Sequence, residues 1–211
     1  MPTFKHTPTG KKVFFAHIPR TAGRFIEQNL LENNDFVWDD PPHLETGLGV
    51  MSVVHGAEVA HWHRDLYQKY LSVENIPHFS VVRDPITRFI SGSIYIKRVY
   101  GKDIQSVMED PIMFSSMITN LPFDESYNWY RPQIDFLTDK THVWKFEDGF
   151  KEDFASWLSG IVGVDLVMND VEYPISKDEK DKDSRLKPSP SLIHILKQVY
   201  KKDLDRFYQD S

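Results

Sequence analysis

The sequence predicts an α/β fold with a mainly parallel central sheet flanked by helices. Three observations carry that expectation. Short runs of aliphatic and aromatic residues alternate with longer segments whose apolar residues recur at helical spacing. Several of these runs pass through a turn of Pro, Gly or small residues directly into such a segment, as strand–helix units do. No repeat or low-complexity tract interrupts the 211 residues, a length suited to a single domain over 1–211.

Residues 1–11 read as a polar lead-in. Lys12-Val13-Phe14-Phe15-Ala16-His17-Ile18 reads as a buried strand, short and rich in β-formers. Pro19 ends it, Thr21-Ala22-Gly23 makes a small-residue turn, and Phe25, Ile26, Asn29, Leu30 and Leu31 keep helical spacing as far as Asn33-Asn34. Met51 to Val54 reads as a second core strand, followed by a helix over roughly 57–71 carrying Val59, Trp62, Leu66, Tyr67 and Tyr70. His78 to Val82 is a third buried strand, and Pro85 suits the first turn of the helix bearing Phe89, Ile90 and Ile94. Residues 101–130, with Pro111 and Pro122, read as short helices and loops. His142 to Phe146 is a fourth strand, and Phe150, Phe154, Trp157, Leu158 and Ile161 mark the next helix. The polar stretch 176–188 reads as a mobile loop, after which Ser189 and Pro190 open a last helix through Leu192, Ile195, Leu196, Val199 and Leu204. In a parallel sheet of this kind a ligand belongs at the carboxyl ends of the strands.

Composition narrows the function. Hydrophobic residues make up 40% and charged ones 27%, a globular mixture, and 14 Phe, 9 Tyr and 5 Trp supply ample core area. Lys and Arg total 25 against 31 Asp and Glu, a formal charge of −6, which is the wrong sign for a general nucleic-acid or heparin binder. An anion must therefore be held by a local site. Cysteine is absent, which removes disulfides, thiolate metal sites and cysteine nucleophiles and suits a reducing compartment. No apolar run approaches the ~20 residues that span a bilayer, and Met-Pro-Thr-Phe-Lys-His lacks the layout of a signal peptide. The expectation is a soluble cytoplasmic protein.

Two segments carry anion chemistry. In His17-Ile18-Pro19-Arg20-Thr21-Ala22-Gly23-Arg24, a small-residue loop opens a helix, exposing unpaired N–H groups at the positive end of its dipole. Arg20, Arg24 and the Thr21 hydroxyl add donors suited to a tetrahedral oxyanion; the plainer alternative is a strand-to-helix turn with two solvated arginines. Gly-Lys-Ser/Thr is missing, so this is no Walker A loop. In Arg83-Asp84-Pro85 through Ser91, Arg83 stands at a strand end and Ser91 within the following helix, where both can reach one phosphate. The alternative is a local Arg83–Asp84 pair with Ser91 as a packing residue.

Together the two segments resemble the 5′-phosphosulfate loop and the 3′-phosphate motif of sulfotransferases that use 3′-phosphoadenosine-5′-phosphosulfate (PAPS). The likeness is closest to the carbohydrate (heparan and chondroitin) type and its small bacterial and phage relatives. Arg131 to Leu137, Lys145-Phe146-Glu147 and the terminal Tyr200, Asp203 and Phe207 are similar too. The resemblance implies a P-loop nucleotide-kinase-like fold, PAPS as donor and no metal in the chemistry. It assigns Arg20, Thr21, Ala22, Gly23 and Arg24 to the 5′-phosphosulfate and Arg83 and Ser91 to the 3′-phosphate. The family's loop carries Lys where this chain has Arg20.

Transfer to a hydroxyl also needs a base. His55 follows the Met51–Val54 strand, resembles the family's catalytic histidine in that position, and has the right ordinary pKa of about 6.5; a capping or packing role is the alternative. Glu58 is the second candidate, on the acceptor side, or else a first-turn charge. Tyr127, Trp129 and Tyr130 are either an acceptor platform or core, and Arg185 and Lys187 either close over the nucleotide or are a solvated charge run. His17 reads as a buried strand residue bonded to backbone; His61 and His63 flank Trp62 without the i, i+4 spacing of a zinc pair. A non-catalytic phosphonucleotide-binding module stays open, as does a P-loop kinase, although its Lys-Ser/Thr and magnesium carboxylate are not found. The acidic balance favours a small or neutral hydroxyl acceptor over a long polyanion.

Overall fold

The computed structural model describes residues 2–39, 53–54, 57–100, 129–169 and 188–209. Strand β1 (Thr3–His6) is followed by β2 (Lys12–Phe15), helix α1 (Gly23–Asn33) and β3 (Phe36–Trp38). The short strands β4 (Val53–Val54) and β5 (Ala57–Glu58) precede a 3₁₀ turn (Val59–His61) and α2 (Arg64–Tyr70). Strand β6 (His78–Val82) feeds α3 (Pro85–Tyr100). A 3₁₀ turn over Gln133–Phe136 leads to β7 (Thr141–Lys145), a further turn (Phe146–Asp148) and α4 (Glu152–Val162). Helices α5 (Pro190–Val199) and α6 (Lys201–Phe207) complete the described elements.

The main sheet has the order β3-β1-β2-β6-β7. Strands β2, β6 and β7 pair in parallel, whereas β1 runs antiparallel to both β2 and β3. The carboxyl ends of β2, β6 and β7 therefore lie side by side along one border of the sheet. Alternation along β2 sends Val13 and Phe15 to one face and Phe14 to the other. Val13 and Phe15 join Phe79, Val81, Ile26, Leu30, Phe154 and Leu158 under α1 and α4. Phe14 joins Val82, Trp62, Leu66, Tyr67 and Phe136 on the α2 side. Phe15 and Phe79 stack at 4.7 Å, both fully buried, each worth ~1.5–3 kcal/mol of burial. A third cluster, Phe89, Trp129, Tyr130, Leu192, Leu196 and Tyr200, packs α3 against α5.

Three sequence expectations change. The lead-in is not merely polar: β1 is an internal strand, with Phe4 fully buried and stacked on Trp38 of β3 at 4.8 Å. Residues 53–54 do not extend the main sheet; they pair antiparallel with β5, Val53 opposite Glu58. The helix expected over 57–71 spans only Arg64–Tyr70. Ala60, His61, Trp62 and His63 are all buried, at 6%, 7%, 1% and 3% exposure; four consecutive enclosed residues suit an irregular segment between two packed layers, not one face of a surface helix. The last helix begins as expected, the Ser189 hydroxyl accepting from the Leu192 N–H with Pro190 in the first turn, but it breaks at Tyr200. The expected loop over 176–187 lies outside the described residues. Among those described, no helix is long and apolar enough to cross a membrane.

Candidate functional site

The loop after β2 is built around a close approach. A Cβ on Gly23 would lie 1.8 Å from His17 Nε2, so only glycine lets α1 begin against that ring. His17 is 7% exposed, stacks on Phe15 at 5.1 Å, and its Nδ1 lies 2.9 Å from the Glu27 carboxylate one turn into α1. Nδ1 thus faces a carboxylate, where the sequence suggested a backbone bond. Arg20 and Ala22 both take left-handed backbone, φ 69° and 68°, at about 1–2 kcal/mol each for residues with a Cβ. Such strain is commonly stored at ligand sites. The Thr21 side chain is fully buried and donates to the Ile18 carbonyl at 2.8 Å. Its proton braces the loop, which corrects the expectation that it faces an anion. The N-terminus of α1 has no side-chain cap and no acidic residue in its first turn, where Arg24 stands exposed. That end accordingly presents donors and positive potential together.

The second segment meets the first. Asp84 caps α3, its carboxylate accepting from the Thr87 N–H at 2.8 Å, and its own N–H donates to Glu147 at 2.7 Å. Arg20 Nε donates to Ser91 Oγ at 2.9 Å, and the Arg20 guanidinium lies 5.1 Å from the centre of the Tyr95 ring. Arg83 donates to the Arg20 carbonyl at 3.4 Å and to Thr87 Oγ1 at 3.3 Å, and lies over Phe146 at 4.3 Å. Arg20, Arg83 and Ser91 thus lie next to one another, and the Asp84 carboxylate is taken up by the helix cap.

The remaining candidates divide. Trp129 and Tyr130 are core residues, 7% and 1% exposed: Trp129 stacks on Tyr95 at 4.6 Å, and Tyr130 packs on Phe89 at 4.9 Å. Rings so covered are no platform for an acceptor. Glu58 lies on β5. His55, Tyr127, Arg185 and Lys187 lie outside the described residues. His61 Nδ1 donates to the His17 carbonyl at 3.2 Å, and its ring meets His17 edge-on at 4.4 Å. Burial, with the His17 charge next, holds its pKa well below 6.5, so the ring is neutral and its Nδ1 carries the proton.

Sequence reasoning marked Arg131 to Leu137 and Asp203 as family-like but missed the polar support behind these strand ends. Arg88, 1% exposed, donates to the Trp129 and Arg131 carbonyls at 3.0 and 2.6 Å, pinning the 129–131 segment to α3. Gln133 and Asp203 are both fully buried. A Gln and an Asp with apolar neighbours at core-like positions were the available signal.

Fold and site together define an α/β protein in which Arg20, Arg83 and Ser91 meet at the carboxyl border of three parallel strands. A family model described as the sulfotransferase family matches residues 4–118, more than half of the 211, and the chain belongs to that family. No curated protein and no solved structure matches it.

Proposed function

We propose that the protein is a PAPS-dependent sulfotransferase acting on a hydroxyl of a carbohydrate or small-molecule acceptor, within the reducing cytoplasm that a cysteine-free chain suits. The observation that carries the reading is the junction of the two anion segments, with Arg20 bonded to Ser91 and Arg83 bonded to the Arg20 carbonyl. One ligand with phosphates at both ends would be gripped by both. Bound PAPS would supply the sulfuryl group for in-line displacement. The N–H groups opening α1, with Arg20 and Arg24, would hold the 5′-phosphosulfate; Arg83 and Ser91 would hold the 3′-phosphate. Thr21 and Gly23 act from behind, fixing the loop against Ile18 and His17. Arg20 would meet the negative charge that grows on the leaving phosphate, where a cation accelerates transfer by acting more strongly in the transition state than before it. His55 would take the acceptor's proton, with Glu58 next in line. The full chain 1–211 would act as one domain, with Arg185 and Lys187 over the nucleotide.

Two measurements test this. Calorimetry should show adenosine 3′,5′-bisphosphate binding far more tightly than ATP; the reverse preference would make the protein a kinase-like binder. A radiolabelled-sulfate transfer screen over glycans, lipids and small alcohols should yield a product. His55→Ala should lose ~10²–10⁴-fold in turnover, the range for removing a general base, while still binding the bisphosphate. Product formation by Arg20→Lys alone, with none from the natural chain, would leave a binding module in place of an enzyme.

A further inference from the structure

Strand β6 ends its ladder with Val82 opposite Lys145 of β7. At the next residue, Arg83, a side chain engages the main chain. Gln133 Oε1 accepts from the Arg83 N–H at 2.9 Å, and Gln133 Nε2 donates to the Arg83 carbonyl at 2.8 Å. The amide imitates one residue of an adjoining strand and fixes both backbone groups of Arg83 at once. Gln133 is held in turn. Its own N–H donates to one oxygen of Asp203 at 2.8 Å, and the Ile134 N–H donates to the other at 2.9 Å. Asp203 thus caps the 3₁₀ turn Gln133–Phe136 from a distant helix, α6. A fully buried carboxylate is tolerable only with such partners. The result is a rigid chain from α6 through the turn to the one main-chain segment that carries the Arg83 side chain.

We propose that Gln133, braced by Asp203, is a positioning residue that sets how strictly the site demands a 3′-phosphate. This rests on the reading of Arg83 as the cation for that phosphate. Neither Gln133 nor Asp203 needs to touch the ligand. They fix the Cα of Arg83, and therefore the arc its guanidinium can sweep, while the main bracing of the 5′ loop comes from Gly23, Thr21 and His17, with Arg83 adding one long bond to the Arg20 carbonyl.

The test compares two nucleotides that differ only in the 3′-phosphate: adenosine 3′,5′-bisphosphate and adenosine 5′-monophosphate, titrated calorimetrically into the full chain. The natural protein should prefer the bisphosphate. Gln133→Glu keeps the size and the acceptor but turns the donor toward the Arg83 carbonyl into a second acceptor. It should reduce that preference about tenfold, the equivalent of one charge-assisted hydrogen bond, with affinity for the monophosphate unchanged within about twofold. Asp203→Asn should move the ratio in the same direction by less, and carries the test if Gln133→Glu fails to fold. In an Arg83→Ala background, Gln133→Glu should leave the ratio where Arg83→Ala alone puts it, since coupled residues do not add. Equal losses for both nucleotides, or a ratio that falls further in the double variant, would reduce Gln133 to a structural residue. If instead Arg83→Ala leaves the natural protein's preference intact, the assignment of Arg83 itself fails, and the role for Gln133 falls with it.

Discussion

Asn34 and Gln133 perform one operation at the two ends of the sheet. Each uses a side-chain amide to hold both backbone groups of a single distant residue. Asn34, just past α1, accepts from the Val167 N–H and donates to the Val167 carbonyl, both at 2.8 Å. Gln133 does the same for Arg83. What differs is the residue held. Val167 is 58% exposed and apolar, so its clamp merely ties the segment after α4 to α1. Arg83 carries a cation to the junction with Arg20, the proposed anion site. A hydrogen-bonding device therefore does not reveal function by itself; the chemistry of what it orients does.

The contrast between a structural and a functional border sharpens first at two glycines, where the effects should be largest. Gly23→Ala would drive a methyl into the His17 ring at 1.8 Å. That ring is wedged between Phe15 and Glu27 and cannot retreat. The cost should exceed the ~1–3 kcal/mol of ordinary overpacking, with nucleotide binding lost. Gly163, which ends α4 at φ 72°, faces only the flexible end of Lys11. Gly163→Ala should cost about 1–2 kcal/mol for left-handed backbone and leave nucleotide affinity untouched. Denaturant melts and calorimetry on both variants check this; equal effects on binding would erase the distinction.

The amide pair comes next. Asn34→Ala and Gln133→Ala should each lose ~1–3 kcal/mol of stability by stranding buried polar groups. Asn34→Ala should fall at the lower end, because the Val167 residue it holds is largely exposed. Only Gln133→Ala should weaken the bisphosphate relative to the monophosphate. A change in that ratio with Asn34→Ala would show that the two ends of the sheet are not independent.

The same contrast explains what could be read in advance. Strands β2, β6 and β7 and helices α1, α3 and α4 announce themselves because apolar period and punctuation agree locally. Strands β1 and β3 do not, since three or four residues with a single core side chain, Phe4 or Phe36, carry too little pattern. Their stability comes from pairing and from the Phe4–Trp38 stack, both tertiary. The Thr7-Pro8-Thr9-Gly10 run before β2, with Gly10 at φ 72°, was a usable hairpin signal. In the site, Arg20 and Arg83 were legible because each follows a strand, and Ser91 because it lies in the helix that opens just after Arg83. The bracing roles of Gln133 and Asp203 were not, although both residues stand in family-like segments: they lie 50 and 70 residues from the groups they hold. No local pattern encodes such a contact. Trp129 and Tyr130 misled for a related reason, since an aromatic run looks the same whether α3 and α5 cover it or not.

The smallest expected effect separates the two ends of the sheet by pH. His63 precedes α2 near the site border, and burial, aided by the Arg131 charge, lowers its pKa from 6.5 to about 4. His78 opens β6 at the other end. Burial lowers it too, but its Nε2 bond to the Val73 carbonyl at 2.7 Å works in the opposite sense. A histidine kept neutral in the fold, yet protonated in the unfolded chain, contributes stability that is fully present above pH 6.5. That stability is lost as pH falls toward the folded value, because the unfolded state then binds the extra proton. For His63 the window runs from about 6.5 down to about 4, with a slope of at most ~1.4 kcal/mol per pH unit. His63→Gln stays neutral throughout and should flatten the fall in stability over that window by up to this slope. His78→Gln should flatten it less, since its bond to Val73 already favours the charged ring. Urea melts at half-unit pH steps would show this as two curves of different steepness converging above pH 7. If His63→Gln leaves the slope between pH 6 and 5 unchanged, His63 is protonated in the fold, and the border beside Arg131 is wetter than its 3% exposure implies.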